Sequence, residues 1–456
     1  MHLTRWGLIA LTAASLAAFT TPAFAELKPG DRLTKANCQE AKDLLPEYVT
    51  EKFCSGQYEA NIVEVKDDAF QYSAKFKAGS EANAGKYYVT DQGYMYETAT
   101  KSWPHFWYGF PFPNLDEKDP QAANKVVYNH QVARFQIDDV YWFLALKWIR
   151  PSGFDRSVEF GAYARWNIGR HSGPPSQAEN PDDCYLKDLL FGVAPYDVVG
   201  VSSMTWWYTD PDKWQSTWSF VPTIRRVRRL TASNSSEGMF GSTIARDDVY
   251  GWGGKIQYMN WKLVGIKDML VPIAPGGIEK AIVPGEPAPK KLAADPNVIK
   301  NRGQIPVGQV GRMTWTPEER IVPGYEKEGW TGVAYAPANL SLAKRRCWIV
   351  EATPKDPYYA YGRRVIYIDR TAYWAYWTTL YDRSGEYWKT VLWEDKMGYT
   401  PGRDMTMRHP YWGSAEDVRQ NMATFFDAQS KGYYTEYELG FPDSMWNSTN
   451  LSAMGK

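Results

Sequence analysis

A mainly β protein (α+β), built on one large antiparallel sheet or open barrel with a few helices, is the fold class this sequence predicts, and three observations predict it. Short runs rich in β-branched and aromatic residues recur along most of the chain, separated by Gly, Asp, Asn and Pro turns. No G-x-G-x-x-G or P-loop occurs and strands do not alternate with helices, which excludes the nucleotide-binding α/β folds. Aromatic residues are abundant, with 21 Trp and 31 Tyr among 456 residues. Such side chains favour pleated, half-buried surfaces, although a ligand-facing aromatic lining would need them too.

Taken in order, residues 1–25 read as a cleavable export signal, because Arg5 precedes an apolar stretch from Leu8 to Phe19 and the segment ends in Ala23-Phe24-Ala25. That stretch is shorter than the roughly 20 residues needed to cross a bilayer. The mature chain is therefore expected to begin at Glu26, in the periplasm. A helical spacing covers about 34–55; strands are predicted over 57–65, 70–76, 86–89 and 94–98. The Pro-rich, aromatic stretch 103–113 is predicted as a packed loop, and 120–135 as a helix. Strand patterns then occupy 140–149, 157–166, 186–193, 201–207, 214–230 and 256–264. They resume over 345–351, 364–369, 373–381 and 386–393. The Pro- and Gly-dense stretch 272–312 is read as an insertion within a single domain spanning 26–456. A last helix is predicted over 414–429, with Ser414 as its cap, before a polar, loose tail from Asn447.

Charge and motif content exclude several classes. The mature chain carries 51 basic residues, one fewer than the full sequence, against 52 acidic. A general polyanion or nucleic-acid binder needs basic excess. Histidines 105, 130, 171 and 409 show no metal-ligand spacing, and no G-x-S-x-G occurs. Adjacent acids such as Asp182-Asp183 and Asp247-Asp248 point in different directions and define no glycosidase pair. No catalytic residue, metal or cofactor is assigned, and the chain is read as a non-enzyme. Cysteines 38, 54, 184 and 347 form no C-x-x-C, so disulfides are expected in an oxidising compartment. Proximity pairs Cys38 with Cys54 and leaves Cys184 for Cys347.

The most distinctive cluster is Trp214 to Leu230, WQSTWSFVPTIRRVRRL. Read as one strand, it puts Arg226 and Arg228 on one face and Arg225 and Arg229 on the other. Structural ion pairs to Asp247, Asp248, Glu351 or Asp369 would satisfy these charges; alternatively, one or two arginines sit at the mouth of an apolar cavity and hold a carboxylate or phosphate. Rings also occupy both faces of the 373–381 strand, so both sides need apolar cover.

The segment Arg345 to Lys389 contains R-x-W-x-V-E-A, R-R-x-x-Y-x-D and Y-D-R-x-G-x-x-W-K in that order, and Pro222 to Gly265 contains RRVRRL, DDVYGWGGK and WKLVG. With the opening LKPGD and KDLLPEYV, these resemble the signatures of the bacterial "domain of unknown function 1329" family. The resemblance implies similarity to the lipoprotein carriers LolA and LolB: a curved antiparallel sheet forming an incomplete barrel, with helices on its concave side. It also implies a periplasmic carrier or chaperone for a lipid, lipoprotein acyl chain or other hydrophobic molecule, partnered by an envelope exporter or outer-membrane protein. Among the matched positions Trp218, Phe220, Trp261, Trp348, Tyr367 and Trp374 are expected to line the cavity, with Arg226 and Arg228 at its mouth. The aromatic content keeps an exported carbohydrate-binding protein or polysaccharide-acting enzyme as the alternative.

Overall fold

In the computed structural model the described residues are 26–134, 137–171, 180–284, 311–430, 432–437, 441 and 443–454. The expected export signal and residues 285–310 of the Pro-rich stretch lie outside them. Strands β1 (Arg32–Leu33) and β2 (Ala60–Val63) bracket α1 (Glu47–Cys54), and α2 (Ala74–Ala82), the hairpin β3 (Tyr87–Val89) with β4 (Met95–Glu97), and α3 (Ala122–Ala133) follow. A first meander runs through β5 (Asp139–Arg150), β6 (Gly153–Trp166), β7 (Cys184–Ala194), β8 (Ser202–Tyr208), β9 (Ser216–Val221) and β10 (Arg226–Leu230). Next come β11 (Met259–Pro272), β12 (Glu279–Ala281), β13 (Val283–Pro284) and β14 (Gly311–Met313). The second meander comprises β15 (Ser341–Pro354), β16 (Arg363–Asp369), β17 (Ala375–Tyr381), β18 (Tyr387–Tyr399), β19 (Thr406–Asp417), β20 (Met422–Asp427) and β21 (Tyr434–Tyr437).

Both β20 and β21 pair with β5, which joins the two meanders into one antiparallel order: β10-β9-β8-β7-β6-β5-β20-β19-β18-β17-β16-β15-β11. Its ends, β10 and β11, do not meet, so the sheet is not closed into a barrel. The expected fold class is what forms. The flanks of the Pro-rich stretch are woven into the sheet, β12 along β18 and β14 along β21.

Strands in the middle of the sheet are covered on both sides. Every residue of β19, β20 and β21 is buried, which only two covering layers can achieve. One layer, on what we term the inner face, is α3 and the loop 231–258. The outer face is covered by α1, by residues 273–281 and by the loop 314–340. There Lys396 Nζ donates to the Pro275 and Gly277 carbonyls at 2.6 and 2.9 Å, and Gln429 exchanges hydrogen bonds with the Ile321 backbone. The tryptophans supply much of this core: Trp207, Trp252, Trp348, Trp374, Trp377, Trp393 and Trp412 are fully buried. Each such burial contributes about 3 kcal/mol.

Several local expectations are corrected. The predicted helix 414–429 is the end of β19, a turn at Asn421 (φ 48°) and β20; burial on both faces removes the alternation that marks a strand. Residues 70–76 do not form a strand: Ser73 caps α2, its hydroxyl accepting from the Phe76 N–H at 3.2 Å. The helical spacing over 34–55 is divided at Pro46 into a 3₁₀ turn, Cys38–Ala41, and α1, because a proline cannot donate within a helix. The described part of the tail after Asn447 is not loose: it includes a helix, Leu451–Met454, with Leu451 buried.

Cys38 and Cys54 are joined. Cys184 and Cys347 are not; they are separate buried thiols, since one sits on β7 and the other on β15, far apart in the sheet order. Burial pushes the Cys184 thiol up to about 12 and that of Cys347 well above its ordinary value. Two thiols should therefore resist an aromatic disulfide reagent in the native protein and react once it is denatured, and removing the Cys38–Cys54 link should cost about 3 kcal/mol in urea unfolding.

Glu394 of β18 is fully buried on the outer side, and neither carboxylate oxygen has a hydrogen-bond partner among the described residues. Burial raises its pKa to about 8, with Lys396 opposing and Asp395 reinforcing the shift. The folded state thus keeps a proton that the unfolded chain loses above its ordinary value of 4.5, so this group's contribution to stability falls as pH rises through that window. Relative to E394Q, the wild-type protein should lose roughly 3 kcal/mol between pH 5 and pH 8, measured by denaturant unfolding at each pH.

A plugged inner face and its cleft

The loop 231–258 is irregular, turning through short 3₁₀ segments such as Arg246–Asp248, and side-chain chemistry holds it against the sheet. Asp248 accepts from the Ala245 N–H at 2.9 Å, from Tyr361 Oη at 3.0 Å and from Arg364 Nη2 at 3.1 Å. Asp247 accepts from Ser235 Oγ and Tyr359 Oη, at 2.7 and 2.8 Å. Arg364 Nη1 also donates to the Gly251 and Asp247 carbonyls, at 2.9 and 3.2 Å, and Trp393 Nε1 to the Asp248 carbonyl at 2.7 Å. The side chains of Arg364 and Asp248 have essentially no exposure. Burial opposes the Arg364 charge, but Tyr359, Asp248 and Asp247 more than offset it and raise its pKa; burial raises that of Asp247 despite Ser235 and Arg364. Gly251 sits at φ +86°, where a Cβ would lie 2.7 Å from that of Ala375. Only glycine lets the loop come this close.

These contacts correct the expected ion pairs of the arginine cluster. Asp248 pairs with Arg364, Asp369 with Arg345 and Glu351 with Arg363. The cluster is a hairpin instead of one strand: β9 and β10 are joined by a turn in which Arg225 takes φ 50°. All of β10 is exposed.

Between loop and sheet lies a cleft in two chambers. The first, about 80 Å³, is apolar, with a floor of Trp142 and Leu144 (β5), Phe160 and Ala162 (β6) and Leu190 (β7), and a roof of Met239, Val249 and Tyr250. The second, about 230 Å³, is lined by Ser203, Thr205, Thr217, Asn234 and Ser235, among others. Both touch Asp188, Leu190, Met239 and Arg246. At this shared wall Arg246 Nη2 donates to Asp188 at 2.9 Å, and Trp207 Nε1 donates to the same carboxylate oxygen at 2.7 Å.

Cross-strand register extends the pattern. Directly opposed residues share a face, and the pairings Trp142↔Ala162, Ala162↔Leu190, Leu190↔Ser203, Ser203↔Ser219 and Ser219↔Arg228 define one inner-face row. Thr205↔Thr217 and Thr217↔Leu230 define the next. Arg226 and Arg228 therefore stand on the inner face at the open edge, beyond the hydroxyl-lined chamber. Trp218 and Phe220 point the other way, toward the outer cluster of Met204, Phe441 and Trp446. Trp261 is on the inner face against Trp252, with rings 5.4 Å apart. Trp348 is sealed in the core, and Trp374 packs edge-on to Phe70 at 5.0 Å. Tyr367 lines an outer groove of about 530 Å³ between α1 and the sheet. The floor residues Trp142, Leu144, Ala162 and Leu190 were not singled out from sequence; alternation along β5 to β7 was the available signal.

These features define a class: open antiparallel sheets whose inner face is plugged and carries a cleft. The chain belongs to the DUF1329 family, described as proteins of unknown function, whose model matches residues 32–450. Solved structures similar to it include a putative outer membrane lipoprotein-sorting protein domain from Vibrio parahaemolyticus (13% identity, 72% of this chain and 97% of that one, TM-score 0.45). A DUF1329 family protein from Desulfovibrio piger gives 14% identity, 73% and 98% coverage and TM-score 0.45. A LolA superfamily protein from Nitrosomonas europaea gives 11%, 71%, 97% and 0.40. No curated protein matches the sequence. Among the described residues no helix is long and apolar enough to cross a membrane.

Replacing Asp248 by Asn should leave the Arg364 charge buried without its counter-ion and cost about 3 kcal/mol or more. Denaturant unfolding checks the energy, and limited proteolysis within 231–258 checks that the loop has come away from the sheet.

Proposed function

We propose that this protein is a non-enzymatic periplasmic carrier of a hydrophobic ligand that has an apolar body and an anionic head, such as a lipid or acyl chain, exchanged with an envelope transporter or outer-membrane protein. The observation that carries this reading is the gradient along the inner face: tryptophan and leucine on β5 to β7, hydroxyls on β8 and β9, arginines on β10. An apolar group leaves water favourably in the first chamber, hydroxyls supply adaptable hydrogen bonds, and guanidinium groups pair with carboxylate or phosphate. The apolar chamber holds only a few carbon atoms with the loop seated, so a longer chain requires the loop to lift. Export to the periplasm rests on the N-terminal segment with its Ala-x-Ala end.

Binding of a fluorescent fatty acid tests this. The R226Q/R228Q double variant should weaken fatty-acid binding at least tenfold, about 1.4 kcal/mol, and leave the matching fatty alcohol unaffected, whereas A162W, which fills the apolar chamber, should weaken both. Failure of the wild-type protein to bind either probe, with no lipid in solvent extracts of protein from its own host, would overturn the proposal.

A further inference from the structure

The tip of the β9–β10 hairpin has chemistry that the cleft does not use. Arg225 lies in the turn, while Val227 and Arg229 face outward on β10, opposite Phe220 and Trp218. Ile224 and Val227 are 42% and 37% exposed. The β7–β8 turn sits at the same end of the sheet, because Ser202 pairs with both Phe191 and Phe220. It presents Tyr196, 94% exposed, and Val199, 47% exposed. Two connections thus place aromatic, aliphatic and cationic side chains together at one corner, with Asp197 as the acid of the β7–β8 turn.

None of the four arginines 225, 226, 228 and 229 forms an ion pair among the described residues; Arg229 Nη2 donates to Ser216 Oγ at 2.8 Å. The whole sequence has no net charge, so this cationic corner is a local feature. The plainest alternative role is edge protection, since among the described residues β10 pairs only with β9. A charged residue or two suffices to discourage edge pairing, and that role gives no reason to expose Ile224, Val227, Tyr196 and Val199 beside the charges. Cations interleaved with exposed apolar and tyrosine side chains suit a surface that is anionic at the level of its headgroups and apolar just beneath.

We infer that this corner docks on an anionic lipid surface. The inference does not depend on what the cleft holds. The test is co-flotation of the mature chain with vesicles of phosphatidylethanolamine and phosphatidylglycerol, against vesicles of phosphatidylcholine. Wild-type protein should float with the anionic vesicles, and less so as salt is raised. The R225N/R229Q variant removes two charges, with asparagine chosen for the positive φ, and should lower partitioning about thirtyfold. I224S/Y196S should also lower it. All these side chains lie outside the cleft, so fatty-acid binding and thermal unfolding should stay as in wild type, which separates failure of docking from failure of the carrier reading or of folding. Equal flotation with both vesicle types, or flotation unchanged in R225N/R229Q, would overturn the inference. So would capture by an acidic protein without any vesicle binding.

Discussion

The buried contact between Arg364 and Asp248 is the constraint on which the rest of the structure depends. It ties an irregular loop to β16 of the second meander, and together with Tyr359, Tyr361 and Trp393 it gives hydrogen-bond partners to Asp247 and Asp248, which the loop carries into the interior. Burying an ion pair rarely adds net stability over a well-packed apolar substitute, whereas removing one partner is expensive. The network is therefore better understood as fixing where the loop sits than as a source of folding energy. Hydrophobic burial supplies that energy, with the fully buried tryptophans among its largest single contributors.

Because the loop is seated, the inner face is neither empty nor sealed. Around Trp348 and Trp374 the interior is filled by the protein's own rings, and the expected hollow does not extend there. Space persists farther along the sheet, where Ala162 and Leu190 leave the floor low and the loop crosses above it. The progression from that floor through Ser203 and Thr217 to Arg228 follows from a meander in which each strand adds one column of a common row. A one-residue slip of the β9–β10 hairpin against β8 would turn Arg226 and Arg228 outward and bring Trp218 and Phe220 into the cleft.

Sequence patterns revealed the antiparallel meanders, the helix over α3 and the packed loop at 103–113, since each has a local signature in periodicity or proline content. Arg226 and Arg228 could be assigned to one face because strand alternation is local as well. What could not be read was which face that is. Trp218 and Phe220, chosen for the same interior as the arginines, lie on the other side. Likewise β19 and β20 resembled a helix, because a strand buried on both faces loses its polar alternation and Ser414 imitated a cap.

The sequence by itself determined the family, the strand-rich class and the chemical extremes that any site would have to use: many rings, one arginine cluster and no metal-ligand spacing. Tertiary structure decided the partners. Whether Asp248 would meet Arg228 or Arg364, whether Cys184 could reach Cys347, and which aromatic residues would seal the core depended on contacts between residues far apart in the chain. Such contacts are fixed by strand order and register, which arise only when both meanders share β5 as their common neighbour.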